Sequence, residues 1–324
     1  MYFWRVAGLL LMVLWGLSWF VPPWGWSLPF FTALFWVYGG GAFFTVGLLS
    51  DNRHRWFWLA GLLVWIGSLR YIWSFFPSIS HETPFLRIAT FNMDAAHYRR
   101  PQIERLADSL RRWHPDILCL QEVYLGDYTV EAFARRVGYT HYTFLDAKMH
   151  MGMLILSDFP IEKDRIHLLL PGTTNGLHEA RLRLPDGEVA QVIHIHFPSY
   201  RLGREDSWSW NWLSRIWGYH AKFYKNLYHL LEKPSTMVWV CGDFNAPPFH
   251  PIYRMLNRLL YDSHTAAPWG VGPTWQRVLR IDYIWGSHPA LWQRIRWIPG
   301  QAHAYVEAAY ALSTKSATFV SSGR

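Results

Sequence analysis

The sequence is poor in cysteine, and it has no dense run of basic residues, no internal repeat and no low-complexity tract. Its two cysteines, Cys119 and Cys241, lie inside apolar runs without Cys-x-x-Cys spacing, so they indicate small buried side chains. The formal net charge is +8, but the basic residues are too widely spaced to form the stripe that is typical of nucleic-acid-binding proteins. A diffuse basic surplus suits anionic substrates or an anionic lipid surface.

The first 77 residues lack polar faces. Apolar runs cover residues 2–21, 28–49 and 56–76, and each has about the ~20 residues that a helix needs to cross a bilayer. Tryptophans stand near several ends of these runs, as is usual at a membrane interface. A soluble helical bundle would need a polar face on each helix. The sequence therefore predicts a membrane domain of three transmembrane helices at residues 1–77, in contact with the lipid bilayer.

Basic residues in the short loops predict the orientation of this segment. The loop at residues 51–55 carries Arg53 and Arg55, whereas the loop at residues 22–26 carries no charge. Because basic loops favour the cytoplasmic side, three spans would place the chain after a linker at residues 78–84 outside the cytoplasm. We therefore expect an integral protein of a bacterial inner membrane, with an extracytoplasmic domain at residues 85–324.

In that second domain, short apolar runs end in polar side chains. The central run at residues 237–241 stops at Gly242, and Asp243 and Asn245 follow. Side chains two positions apart leave a strand end on the same side. Carboxylates are the ligands that a hard cation such as Mg²⁺ prefers, together with water and substrate phosphate oxygens. The polar residues that end the four runs are Asn92 with Asp94, Glu122, His196, and Asp243 with Asn245.

The motifs around these strand ends occur in a familiar order. They are Arg87-Ile-Ala-Thr-Phe-Asn-Met93, Asp116-Ile-Leu-Cys-Leu-Gln-Glu122, Gly152-Met-Leu-Ile-Leu-Ser157 with Pro160-Ile161, Ile193-His-Ile-His196, Cys241-Gly-Asp-Phe-Asn245, Pro273-Thr-Trp275 and Arg280-Ile-Asp-Tyr-Ile-Trp285. Over residues 85 to 287 the sequence resembles the endonuclease/exonuclease/phosphatase superfamily. The resemblance implies an α+β four-layer sandwich, in which two packed mixed β-sheets are flanked by helices. It also implies hydrolysis of phosphoester bonds with a divalent metal, Mg²⁺ or Mn²⁺, as cofactor.

The resemblance further implies a role for each matching residue. By analogy Asn92 and Glu122 would hold the metal, and Asp94 is a further candidate ligand because of its place at the same strand end as Asn92. His196 would contact the phosphate, Asp243 would orient or deprotonate the attacking water, and Asn245 would steady the pentavalent phosphorus. Asp282 matches the acid that partners a catalytic histidine in the family.

That histidine belongs to a closing Ser-Asp-His-x-Pro pattern in the family. The predicted equivalent here is residues 312–320, where Thr314 and Lys315 stand in place of Asp and His. A charged lysine cannot accept a proton, but Lys315 could bind a phosphate oxygen of the substrate as a point charge. The open alternative is that His303 supplies the imidazole.

Three functions are compatible with the sequence. The first is a membrane-tethered, metal-dependent phosphodiesterase or phosphatase that acts on a phosphorylated lipid, a head group or another phosphoester outside the cytoplasm. The second is a catalytically silent family member that binds a phosphorylated ligand or partner. The third is a nuclease, which the lack of a dense basic stripe makes less economical. The tryptophan-rich segment at residues 208–217 could contact either lipid or substrate.

Overall fold

The structure, a computed structural model, describes residues 6–10, 13, 28–69, 85–94, 100–148, 151–199, 210–232, 237–248, 250–267 and 272–311. Its helices are α1 (Leu28–Ser50), α2 (Arg55–Ser68), α3 (Arg100–Trp113), α4 (Val130–Val137), α5 (Trp210–Leu231) and α6 (Pro251–Leu259). Its strands are β1 (Phe85–Asn92), β2 (Ile117–Val123), β3 (His141–Lys148), β4 (Met151–Ser157), β5 (Ile161–Leu169), β6 (Gly176–Arg183), β7 (Val189–His196), β8 (Met237–Asp243), β9 (Tyr261–Asp262), β10 (Asp282–Gly286), β11 (Trp292–Trp297) and β12 (Ala304–Ala311).

The strands form two six-stranded mixed sheets. The first has the order β11-β12-β1-β2-β4-β3, and the second has the order β5-β6-β7-β8-β10-β9. Each sheet contains one parallel pair, β1 with β2 in the first and β7 with β8 in the second. Because parallel neighbours need a crossover connection, a helix lies between the members of each pair, α3 in the first and α5 in the second.

The two sheets pack face to face, and helices cover their outer faces. The layer between the sheets contains Ile88 and Cys119 from the first sheet with Val192 and Cys241 from the second. Side chains of α3 and α4 pack on the outside of the first sheet, and those of α5 and α6 pack on the second. This arrangement confirms the predicted two packed mixed sheets flanked by helices. It also confirms that both cysteines are buried and free.

Local sequence explains where the shorter helices begin and end. The Thr129 side chain caps α4 by accepting a hydrogen bond from the backbone N–H of Ala132 over 3.1 Å. Gly138 closes the same helix with a φ of 107°, a left-handed value that glycine adopts without strain. The α5 helix begins at Trp210, so residues 210–217 of the tryptophan-rich segment are helical.

The N-terminal helices pack against each other through glycines. A Cβ atom on Gly47 would lie 2.3 Å from the Trp58 ring, and one on Gly61 would lie 2.3 Å from the Phe44 ring. The indole N–H of Trp58 donates to the carboxylate of Asp51 over 3.2 Å, which fixes the turn between the helices.

The structure does not support the predicted three-span membrane segment. Within the described residues, no helix is both long enough and apolar enough to cross a membrane. The helix in the third predicted span, α2, has 14 residues and is therefore only about 21 Å long, against a bilayer core of about 30 Å. Most of the first predicted span lies outside the described residues.

Candidate active site

The strand ends that the sequence singled out meet at one edge of the sandwich. Asn92 ends β1, His196 ends β7 and Asp243 ends β8. Since β1 and β2 are parallel, Glu122 near the end of β2 lies on the same edge as Asn92. Asp282 begins the antiparallel β10 and lies directly opposite Asp243 in the register of the sheet. The topology therefore brings five separate motifs to one place.

Asn92 contacts acids of both sheets. Its Nδ2 donates to Glu122 Oε1 over 3.2 Å and to Asp243 Oδ2 over 2.9 Å. Its Oδ1 accepts a hydrogen bond from the backbone N–H of Asp94 over 2.9 Å, which fixes the orientation of the amide. Asn92 and Asp243 are both about 1 % exposed, so the link between the sheets is buried.

Glu122 and His196 form a charged pair. His196 donates from Nδ1 to the carbonyl oxygen of Thr174 over 3.0 Å, so its Nε2 faces Glu122 Oε1 at 3.4 Å. Burial would raise the pKa of Glu122, but the hydrogen bonds and charge of its neighbours lower it to about 2. Burial lowers the pKa of His196, whereas Glu122 and Asp243 raise it and prevail. Glu122 is therefore ionised at neutral pH, and its contact with His196 favours the protonated form of the imidazole.

Asp282, Asp243 and His303 form the most compact titratable group of the site. His303 Nδ1 lies 3.2 Å from both carboxylate oxygens of Asp282, and His303 Nε2 lies 3.9 Å from Asp243 Oδ2. Burial lowers the pKa of His303, but the two acids and Glu122 raise it to about 9. Burial and the charge of Asp282 raise the pKa of Asp243 to about 6. Within the described residues, these three side chains are the group whose ligand atoms could share a metal, all within 4.8 Å of one another.

Asn245 holds the Asp243 carboxylate in place. Its backbone N–H donates to Asp243 Oδ1 over 2.8 Å, and its Nδ2 donates to Asp243 Oδ2 over 3.3 Å and to the carbonyl oxygen of Phe197 over 2.9 Å. Asn245 has a φ of 46°, and Asp94 and Glu122 also have positive φ values, 45° and 49°. Left-handed backbone is costly for residues other than glycine and concentrates at functional sites, so this strain supports a functional edge here.

Gly242 is required where the neighbouring strands β7 and β8 of the second sheet approach each other closely. It has a φ of 143°, and a Cβ atom at this position would lie 1.9 Å from the carbonyl oxygen of Ile195 on the neighbouring parallel strand. The sequence predicted a bend at this residue, and the structure adds the reason that only glycine fits.

His303, the alternative source of the imidazole, lies beside Asp282. Lys315 and the whole of residues 312–320 lie outside the described residues, so the predicted role of Lys315 stays a prediction. His303 directly precedes β12, so residues 301–305, Gln-Ala-His-Ala-Tyr, carry a histidine into the start of a strand. The residue before this histidine is Ala302.

Several residues support the site although no role was predicted for them from the sequence. Thr274 Oγ1 accepts the backbone N–H groups of Ile281 and Asp282, each over 3.0 Å, and so fixes the start of β10. Arg280 donates from one Nη to both oxygens of Asp262 over 2.6 Å in a fully buried ion pair. The guanidinium also stacks 4.6 Å from the Tyr283 ring centre. The motif that contains Arg280 predicted a role for Asp282. No local sequence feature predicted that Asp262 is the ion-pair partner of Arg280.

Comparison with known proteins agrees with this geometry. The family model described as "Endonuclease/Exonuclease/phosphatase family" matches residues 89–314. No curated protein matches the sequence. Among solved structures, a family protein from Leptotrichia buccalis has 15 % identity and a TM-score of 0.52, covering 69 % of this chain and 98 % of its own.

Two further solved structures have the same fold. A 3′ phosphatase from Neisseria, bound to a product DNA hairpin, has 19 % identity and a TM-score of 0.53, covering 69 % of this chain and 98 % of its own. An AP endonuclease from Archaeoglobus fulgidus has 21 % identity and a TM-score of 0.53, with the same two coverages of 69 % and 98 %. At these identities the structures share the fold alone. Because the family model covers well over half of the sequence, the chain belongs to the endonuclease/exonuclease/phosphatase family.

Proposed function

We propose that this chain is a divalent-metal-dependent phosphoester hydrolase, a phosphodiesterase or phosphatase. The observation that carries the proposal is the group formed by Asp243, Asp282 and His303, joined through Asn92 to Glu122 at one edge of the sandwich. This group combines a base, a protonated imidazole and metal-binding oxygens within one buried cluster. Hydrolysis of a phosphoester needs each of these three functions.

The donor set fits a hard divalent cation such as Mg²⁺ or Mn²⁺. Carboxylate and amide oxygens dominate the site, and burial and the charge of Asp282 raise the pKa of Asp243, which a bound cation would oppose. Glu122 and Asn92 would hold the cation, as the family resemblance implies, and Asp94 at the same strand end would assist them. When bound, the cation would polarise phosphate oxygens and favour the ionisation of a bound water.

Asp243 is the residue best suited to accept a proton from the attacking water. Its pKa of about 6 lies close to neutral pH, where a general base is most effective. The hydrogen bonds from Asn92 and from the Asn245 backbone fix both carboxylate oxygens, so the carboxylate is oriented before substrate binds. Asn245 thus acts on Asp243, and its role at the phosphorus is part of the proposal.

The two histidines supply positive charge to the phosphate. His303 is held by Asp282 through Nδ1, which leaves Nε2 on the side of Asp243. With a pKa of about 9 this imidazole carries a proton at neutral pH and can donate it to a phosphate oxygen. His196 is held in the same way by Thr174, with Nε2 toward Glu122. Both rings are therefore oriented with their Nε2 atoms toward the acids.

The proposal is tested by hydrolysis of a panel of phosphoesters by the full chain in Mg²⁺. The Asp243→Asn variant should lose at least about a hundredfold in turnover, the lower range for one acid or base group. Asp186→Asn is the matched control, because Asp186 lies in the exposed turn between β6 and β7 and should not affect turnover. Equal turnover in the two variants would contradict the role of Asp243.

Two other functions remain as outcomes of this test. A chain that binds phosphorylated compounds but hydrolyses none would be a silent family member. A nuclease is the second candidate, because the similar Neisseria and Archaeoglobus proteins are described as a 3′ phosphatase with DNA and an AP endonuclease. DNA hairpins with a 3′ phosphate or an abasic position therefore belong in the panel, beside lipid head-group esters.

The location outside the cytoplasm and a lipid-linked substrate are proposals that rest on the sequence of residues 1–77 alone. The basic loop at Arg53 and Arg55 supports the orientation. A reporter that is active only outside the cytoplasm, fused after residue 84, tests the location. Activity of a cytoplasm-only reporter at the same junction would contradict it.

A further inference from the structure

A groove of about 570 Å³ lies beside the candidate active site. Its lining includes Gln276 and Arg277 on one side and Trp297, Pro299 and Ala302 on the other. The groove and the site share one stretch of backbone, because Ala302 lines the groove and directly precedes His303. The backbone N–H of Gln276 donates to the Ala302 carbonyl over 2.7 Å, which holds the turn that carries Arg277 against this stretch.

The turn that carries Arg277 is strained. The backbone N–H of Val278 donates to the Trp275 carbonyl over 2.9 Å, and the two central residues, Gln276 and Arg277, have φ values of 45° and 59°. Positive φ at both central positions is the geometry of a type I′ turn, which favours asparagine and glycine. Two long side chains in this turn are unfavourable for folding, and strain of this kind concentrates at ligand sites.

Arg277 is held over a ring rather than by an acid. Its guanidinium lies 5.0 Å from the ring centre of Trp297. Arg296, which also stacks on aromatic rings, donates to Glu307 over 2.6 Å, whereas within the described part of the chain Arg277 has no such ion pair. The ring fixes the position of the guanidinium but leaves its charge uncompensated, which is the arrangement that suits an anionic ligand.

Ala302 lines the same groove as Arg277 and directly precedes the histidine of the active site. In the family pattern an aspartate precedes the histidine, and here that position is an alanine that lines the groove. An anion can therefore extend from His303 into the groove without meeting a carboxylate at this position. The alanine at position 302 and the uncompensated charge of Arg277 both favour an anionic ligand.

We propose that the groove is a subsite for a second phosphate group of the substrate, bound by Arg277. The proposal rests on the proposed hydrolase function and adds a substrate class, namely phosphoesters that carry a second phosphate. The first phosphate would lie at His303 and Asp243, and the second would accept hydrogen bonds from the planar guanidinium.

Binding of non-hydrolysable phosphonates to the full chain in Mg²⁺ tests the subsite. Isothermal titration compares alkane bisphosphonates of increasing chain length with the corresponding monophosphonates. At the best length the bisphosphonate should bind about tenfold tighter or more, as one charge-assisted contact would give. Arg277→Gln should abolish this preference, and Arg277→Lys, which keeps the charge, should retain part of it.

Arg294→Gln is the matched control. Arg294 also stacks on a tryptophan, 4.4 Å from the Trp292 ring centre, but it does not line the groove. The preference should survive in this variant. Equal binding of mono- and bisphosphonates by the natural chain would overturn the subsite, as would a preference that survives Arg277→Gln or disappears in Arg294→Gln.

Hydrolysis of 4-nitrophenyl phosphate, measured in parallel, separates the two proposals. Hydrolysis without a bisphosphonate preference would overturn the subsite and leave the hydrolase function. A preference that depends on Arg277 without hydrolysis of any phosphoester would support the subsite and overturn the hydrolase function.

Discussion

Asn92 donates a hydrogen bond to Asp243 over 2.9 Å, and this contact joins the two sheets of the sandwich at the candidate active site. The residues are 151 positions apart in the chain and end strands of different sheets. The same Asn92 amide also donates to Glu122. The site is therefore complete only when the sheets pack in the observed register, so folding and site assembly are coupled.

Replacing Asn92 by alanine should move the pH dependence of turnover. Burial and Asp282 raise the pKa of Asp243 to about 6, and the hydrogen bond from Asn92 opposes this rise. Without that donor the pKa rises further, so the deprotonated base becomes available only at higher pH. The acidic limb of the kcat/KM profile should shift to higher pH. At pH values below the shifted limb, kcat/KM should be about tenfold or more lower than in the natural chain.

Asn226→Ala serves as the control for this profile. The Asn226 side chain donates only to the Lys222 carbonyl of its own helix, over 2.9 Å. Its profile should match that of the natural chain. An acidic limb that stays in place in Asn92→Ala would show that Asn92 does not influence the catalytic base.

Variants of His303 and Lys315 show which of the two residues supplies the positively charged side chain beside Asp282. Because His303 contacts Asp282 at 3.2 Å, His303→Asn should lower kcat by about a hundredfold to ten-thousandfold. Lys315→Ala should cause a smaller loss. Steady-state kinetics of both variants, with circular dichroism to confirm folding, make the comparison. A larger loss in Lys315→Ala would assign the role to the C-terminal segment.

Gly242→Ala should destabilise the fold more than a glycine substitution in a free turn. The added Cβ would meet the Ile195 carbonyl at 1.9 Å, in addition to the strain at a φ of 143°. Gly187 has a φ of 87° but open space around it, so Gly187→Ala measures the backbone strain alone, about 1–2 kcal/mol. Urea unfolding of both variants gives the difference. Equal losses would mean that strand β8 shifts to accept the methyl group.

The buried pair of Arg280 and Asp262 should be costly to break from one side. Arg280→Met leaves Asp262 as an unpaired buried carboxylate, and a loss of about 3–5 kcal/mol in the free energy of unfolding is expected. Adding Asp262→Leu should recover part of that loss, because both charges are then removed. A double variant that is no more stable than Arg280→Met would indicate that Asp262 stabilises the fold through the hydrogen bonds that it accepts from Tyr253 and the His264 backbone, rather than through the ion pair.

Much of the candidate site could be predicted from local sequence. Asn92, Glu122, His196 and Asp243 each follow an apolar run, and a polar residue at a strand end is visible without knowledge of the fold. The family resemblance also implied the two packed mixed sheets flanked by helices. What local sequence could not give was the pairing of strands that are distant in the chain.

His303 illustrates what local sequence could not predict. It lies between alanines and lacks the preceding aspartate of the family pattern, so its segment has little similarity to that pattern. The following strand, β12, is rich in alanine, a residue with high helix and low strand preference, and was not predicted. Pairing with β1 determines its conformation. The partnership with Asp282 is thus a consequence of tertiary structure.

The N-terminal helices illustrate a different limit. The apolar character of residues 56–76 is continuous, but the helix described there ends at Ser68. The composition of a run shows that it is apolar, but it does not determine how many of its residues are helical. The prediction of three spans used the length and composition of the apolar runs and the tryptophans at their ends, and it had no measure of helix length.

Metal dependence of hydrolysis tests the central claim most directly. The full chain, stripped of metal with EDTA, is assayed with 4-nitrophenyl phosphate and bis(4-nitrophenyl) phosphate before and after addition of Mg²⁺ or Mn²⁺. The account predicts no hydrolysis above the uncatalysed rate without metal, recovery on adding metal, and a much weaker recovery in Glu122→Gln. Equal rates with and without metal, or no hydrolysis of any phosphoester by a folded, metal-supplied chain, would contradict it.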